Sequence, residues 1–228
     1  MKKVSLPFQP SLFGSGDPLG DPSFGTLRRF WLDTESWVDL APGWLSGPDT
    51  LFTRLAESAP WQQRERTMYD QRVAEPRLTC GWAVSDAPPP LDDLADLLSE
   101  RYQVHFDSVG VNYYRHGKDS VAWHGDRVRF VLQRPRVAIV SLGTPRRFGL
   151  RPRGGGTGRW FTLEGGDLLV MGGRSQHDWQ HTVPKTTRGG PRISVTYRHT
   201  SESHSQHRSD EQPRWRRCAQ PGAPCGWR

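Results

Sequence analysis

From residue 106 onward the sequence is a train of short strand-like runs, and this texture narrows the possible folds more than any other feature. FDSVGVNYYRHG, VAIVSLG, RRFGLRPR, RWFTLEGG, DLLVMGG, QHTVPK and RISVTYR follow one another. Turn formers separate them, including the run Gly154-Gly155-Gly156. Seven or eight short strands punctuated in this way predict a jelly roll or a related barrel. The expected class is α+β, with helices packed against the outside of the strands.

The helices come earlier. GPDTLFTRLAESAP (47–60) reads as a helix capped by Asp49, with Leu51 and Leu55 on one face and Pro60 as its stop. A second helix is predicted over 91–102, where Leu91, Leu94, Leu97 and Leu98 form a stripe at helical spacing. Between them, WQQRERTMYDQRVAEPRLTCGW (61–82) mixes aromatics with arginines and suits a hairpin or flap. The expected organisation is an irregular N-terminal arm over 1–45, helices and a flap over 46–105, a strand-built core over 106–198 and a polar mobile tail over 199–228. His204, His207, Cys218 and Cys225 in that tail fit no common zinc-finger spacing.

Only 34% of the residues are hydrophobic, yet ten Trp and nine Phe bring enough apolar area for a core. No apolar run approaches the roughly 20 residues that span a bilayer. The opening Met1-Lys2-Lys3 is not followed by the apolar stretch of a signal peptide, and three cysteines cannot all pair within the chain. These features predict a cytoplasmic protein with no membrane segment and no disulfide framework. Charge is unevenly placed. Residues 1–100 carry 9 Lys/Arg against 15 Asp/Glu, whereas residues 101–200 carry 17 against 6. A basic half suggests a polyanionic partner.

Within the strand-rich part, VAWHGDRV (121–128) breaks an apolar run with His124-Gly125-Asp126. Residues two apart on a strand share a face, so His124 and Asp126 can point at one object. His181, 57 residues later, supplies a third group. Two imidazoles and a carboxylate make a facial triad, which suits octahedral iron(II) with three positions open; zinc more often completes a tetrahedron. In RISVTYR, Arg192 and Arg198 lie six apart and so on one face. Guanidinium pairs of this kind grip carboxylates.

VNYYRHGKDSVAWHGD, SLGTPRRFGLRPR, LEGGDLLVMGGRSQHDWQHTVPK and GPRISVTYR together resemble the AlkB family of iron(II)/2-oxoglutarate dioxygenases. The likeness covers about residues 61–198 and is strongest from 106 to 198. It implies a double-stranded β-helix and the cofactors Fe(II), 2-oxoglutarate and dioxygen. It also implies that His124, Asp126 and His181 hold the metal and that Asn112, Tyr114, Arg192 and Arg198 hold 2-oxoglutarate. Arg192 would take the distal carboxylate, and Arg198 would lie near the carboxylate that is lost. Two positions depart from the family pattern: Ser194 stands where Asn is common, and Val128 where an acidic residue often is. The implied reaction is oxidative demethylation of N-alkylated nucleic-acid bases, with hydroxylation of the N-methyl group and loss of formaldehyde. A cationic flat base suits aromatic walls and is cheaper to extrude from a duplex. Tyr69, Trp82 and Arg77 are the expected substrate contacts, with Arg64, Arg66, Arg146, Arg147, Arg151 and Arg153 available to phosphates. A 2-oxoglutarate-dependent hydroxylase of a protein or small molecule, and a non-catalytic nucleic-acid-binding module, are the competing readings. Gln9-Pro10-Ser11-Leu12-Phe13 is similar to the short peptides that dock on the bacterial DNA sliding clamp, although Leu12 and Phe13 equally suit anchoring of the arm.

Overall fold

A computed structural model describes residues 14–68, 71–126 and 132–200. Two strands come first, β1 (Arg28–Trp31) and β2 (Ser36–Ala41), followed by helix α1 (Pro48–Ser58). The hairpin of β3 (Glu65–Met68) and β4 (Gln71–Ala74), strand β5 (Leu78–Ala83) and helix α2 (Leu91–Tyr102) precede the strand-rich part. There lie β6 (Ser108–Tyr114), β7 (Val121–His124), β8 (Val137–Gly143), β9 (Arg146–Pro152), β10 (Arg159–Leu163) and β11 (Leu168–Gly173). A single turn, α3 (Ser175–Asp178), leads into β12 (Trp179–Val183), and β13 (Arg192–Arg198) closes the fold.

The strands form a seven-stranded major sheet, β1-β2-β11-β8-β13-β6-β5, and a four-stranded minor sheet, β10-β9-β12-β7. Every ladder in both is antiparallel. This is the jelly-roll architecture. Among the described residues no helix is long and apolar enough to cross a membrane.

The period of two along each strand sorts side chains into two cores. On β13, Ile193, Val195 and Tyr197 join the core shared with α1 and α2, while Arg192, Ser194, Thr196 and Arg198 face the other way. On β11, Leu168 and Val170 enter the helix-side core, and Leu169 and Met171 enter the core between the sheets. The leucine stripe of α2 is buried as its spacing requires, with Leu91 and Leu98 wholly excluded from solvent.

Three expectations are corrected. Residues 1–45 are not wholly an irregular arm, since β2 pairs with β11 inside the major sheet and β1 pairs with β2. Strand β2 is buried on both faces, so it lacks the alternation that marks a half-exposed strand. The Trp37 ring lies over Gly172 across the ladder, where any Cβ would collide with it. The core also begins before residue 106, because β5 pairs with β6 in the major sheet. The residue that starts α1 is Gly47, not Asp49; it adopts a φ of 55°, and a Cβ there would strike the Gly16 carbonyl. The Gln9–Phe13 segment, Tyr69, Val128 and the tail from 201 lie outside the described residues.

Replacing Leu98 by Ala deletes a fully buried side chain from the helix-side core. We expect a loss of about 2–5 kcal/mol of stability, read as a lower urea midpoint with unchanged slope.

Candidate metal and cosubstrate site

The minor sheet sets His124 directly opposite His181 in the β7–β12 ladder, with the ring centroids 4.2 Å apart. His124 Nδ1 lies 2.8 Å from the Ala122 carbonyl, which can only accept. Nδ1 is therefore the donor to this carbonyl, and Nε2 is the ring nitrogen left for a ligand. His181 is buried beneath Phe148, whose ring stacks at 5.5 Å. Burial, reinforced by His124, pushes its pKa down to about 3, so the imidazole is neutral at ordinary pH.

Asp126 follows β7 and is buried. Its N–H donates to Gln176 Oε1 at 3.1 Å, and Arg198 Nε donates to its Oδ1 at 3.0 Å. Burial alone would raise its pKa; the positive charge of Arg198, with the two imidazoles, outweighs this and brings it below the usual carboxylate value. Asp126 Oδ2 stands 3.7 Å from His181 Nε2 and has no hydrogen-bond donor. One orphaned carboxylate oxygen and two imidazoles are the donor set of a divalent transition metal. They converge without closing to ligand spacing, since among the described residues no three His, Cys, Asp or Glu groups do so. Asp126 Oδ1 is drawn aside to Arg198.

A cavity of about 660 Å³ runs from this cluster toward β13. At its other end Arg192 is 1% exposed. Its Nε donates to Ser141 Oγ at 3.0 Å, its guanidinium lies 5.3 Å from the Tyr114 ring centroid, and Nη1 has no acceptor. Burial lowers its pKa to about 10, which still leaves it charged. A buried cation with an unused donor and no carboxylate partner is a receptor for an anion. Asn112 on β6 faces the same space; Arg77 Nε donates to its Oδ1 at 3.1 Å, and its own Nδ2 points toward Ser194 Oγ at 3.4 Å.

His124, Asp126, His181, Asn112, Tyr114, Arg192, Arg198 and Arg77 thus line one cavity, although the first and last of them, Arg77 and Arg198, are 121 positions apart in sequence. Trp82 does not. It pairs with Val109 on the helix-side face of β5 and packs against that core, whereas Thr79, three positions earlier and so on the opposite face, reaches the cavity. Arg146 is likewise no phosphate contact: it is buried, and its Nη2 donates to the carbonyls of Asp119 and Pro184. Sequence reasoning missed Gln176, which holds Asp126, and Ser141, which holds Arg192. Neither belongs to a pattern that announces a role. Glu75, which pairs with Arg77 at 2.9 Å, was also missed on the cavity wall.

The family model of the 2OG-Fe(II) oxygenase superfamily matches residues 83–198. The chain is 34% identical to "Alpha-ketoglutarate-dependent dioxygenase alkB homolog 3" of Bos taurus, over 72% of this chain and 66% of that protein. It is 30% identical to "DNA oxidative demethylase ALKBH2" of Arabidopsis thaliana, over 75% of this chain and 64% of that one. The chain therefore spans slightly less than two thirds of these curated relatives. A solved structure titled "The structure of OsALKBH1" aligns with a TM-score of 0.52 at 15% identity, over 74% of this chain and all of that one, which supports the fold. The protein belongs to the 2OG-Fe(II) oxygenase superfamily, and within it is AlkB-like. The cofactors of that family are Fe(II), 2-oxoglutarate and dioxygen.

The depressed His181 pKa carries a pH signature. In the unfolded chain this imidazole takes up a proton near pH 6.5, and in the folded chain only near 3. Between those values the unfolded state holds the extra proton, so stability falls as pH drops. In chelator-treated protein we expect the urea midpoint to decrease from pH 7 to pH 5, and to decrease less in His181→Gln.

Proposed function

We propose that the protein is an iron(II)/2-oxoglutarate-dependent oxidative demethylase of N-alkylated bases in DNA or RNA, releasing formaldehyde. The observation that carries this is the placement of a His-Asp-His cluster and a buried, acid-free arginine at two ends of one cavity. Similarity to a DNA oxidative demethylase suggests the substrate class.

In this reading His124, Asp126 and His181 hold Fe(II). The bound metal, with 2-oxoglutarate and dioxygen, supplies the oxidising power for hydroxylation of an N-methyl group. The rest is done by the chain. Arg192 neutralises the distal carboxylate of 2-oxoglutarate, and Ser141 fixes the direction of its fork. Arg77 engages the carbonyl of Asn112 and Ser194 accepts one of its amide N–H groups, which leaves the other for the cosubstrate. Arg198 holds Oδ1 of Asp126 and Gln176 holds its N–H, so its free Oδ2 faces His181. Val121, Ile139, Phe148 and Val183 wall the cavity with apolar surface and limit water there. On the cavity wall Arg64 offers positive charge to phosphates, and Glu75, held by Arg77, offers the carboxylate that a cationic methylated base calls for.

Purified protein with Fe(II) and 2-oxoglutarate should release succinate and formaldehyde when given strands bearing 1-methyladenine or 3-methylcytosine. His124→Ala should abolish both products and the visible charge-transfer band seen anaerobically. Arg192→Met should raise the 2-oxoglutarate concentration for half-maximal rate about 10- to 100-fold, the equivalent of a charge-assisted hydrogen bond or two. Succinate formation that no methylated strand stimulates would sink the demethylase reading.

A further inference from the structure

The side of the minor sheet turned away from the cavity has a composition of its own. Phe148, Leu150, His124 and His181 point inward, so the alternate residues Arg147, Gly149, Arg151, Trp123 and Gln180 share the outer face. Trp160 of β10 pairs with Gly149 and lies across it, where a Cβ would collide with the indole. Trp123 and Trp160 meet edge to face with centroids 5.7 Å apart. Arg151 lies over the Trp123 ring at 4.4 Å and Arg147 over the Trp160 ring at 4.3 Å. The result is a row of alternating indoles and guanidiniums across the sheet.

Two properties of this row go beyond sheet stabilisation. Trp160 is 43% exposed, one of three large hydrophobic residues that the described part of the chain leaves in solvent. The four strands of the minor sheet carry no Asp or Glu, and the outer face holds the two arginines Arg147 and Arg151. Among the described residues, no carboxylate forms an ion pair with Arg147 or Arg151; Arg151 donates only to the Gln180 side-chain carbonyl. Solvated surfaces usually mix the two signs. A face that combines exposed π surface with unneutralised guanidiniums is complementary to a polyanion whose units are themselves flat and aromatic.

We propose that this face is a stacking platform for the single-stranded nucleic acid that flanks the base held in the cavity. The proposal rests on the nucleic-acid reading above and adds where the flanking strand runs. Strand β7 links the two places: it is the edge of the minor sheet, His124 faces the cavity and its neighbour Trp123 faces the platform. A strand leaving the cavity over this edge meets Trp123 with Arg151, then Trp160 with Arg147. The two indoles, with centroids 5.7 Å apart, give the platform room for about two bases at stacked spacing.

The test compares a methylated trinucleotide with a methylated 15-mer, and measures binding of an unmethylated 15-mer by fluorescence anisotropy. Wild type should show a KM about tenfold or more lower for the 15-mer. Trp160→Ala and the double variant Arg147→Gln/Arg151→Gln should lose that gain and the 15-mer binding, while their trinucleotide kinetics stay unchanged. Trp160→Tyr, which keeps a stacking ring, should retain most of the gain and guards against a fold defect in the alanine variant. A 15-mer with abasic flanks should behave like the trinucleotide. An equal gain in wild type and variants, or abasic flanks as effective as intact ones, overturns the platform. Variant-sensitive binding of the 15-mer with no turnover of any methylated strand keeps the platform and overturns the demethylase reading. Trinucleotide turnover without 15-mer binding does the reverse.

Discussion

Strand β13 lies between β8 and β6 in the middle of the major sheet, and it is required to be two things at once. One face must be apolar, because α1 and α2 close over it. The other holds Arg192 in a place almost without solvent. Taking a guanidinium out of water is costly, and no carboxylate is there to compensate. The aromatic face of Tyr114 and the hydroxyl of Ser141 offset part of that cost. What is left over, an unpaired donor aimed into a cavity, is the property that makes the deep end of the site able to select an anion.

Much of the site was legible because its residues obey strand parity. His124 and Asp126, and Arg192 and Arg198, are even-spaced pairs, and the folded chain turns each pair toward the same cavity. The strands from 106 onward were legible for the same reason. Where parity gives no signal, sequence reasoning failed. β2 is covered on both sides, so its residues show no alternation and sat unnoticed in a presumed arm. Trp82 was chosen for its chemistry, and β5 turns it to the helix side. Gln176 acts from a single turn of helix, through one side-chain carbonyl on the Asp126 N–H, and such a contact exists only once the chain has folded.

Charge composition also reads differently once folded. The excess of basic residues over 101–200 points to a polyanion, yet part of that excess never reaches solvent. Arg192 serves the cavity, and Arg146 is spent on backbone carbonyls that tie the loops at Asp119 and Pro184 to β9. Arg198 is committed to Asp126. The positive field felt by a partner comes from the smaller set on the rim and on the outer face of the minor sheet, and its local arrangement matters more than the total.

Strand β7 has four residues, and its two faces have unrelated duties. Removing or adding one residue there would not weaken the site by degrees. It would turn the imidazole of His124 out to water and swing the indole of Trp123 into the cavity, exchanging both at a stroke. A change of length at Trp123-His124 is therefore more costly than the place of this strand at a sheet edge suggests. The Gly-rich turn between β9 and β10 carries no such double burden and is where insertions can accumulate without disturbing either face.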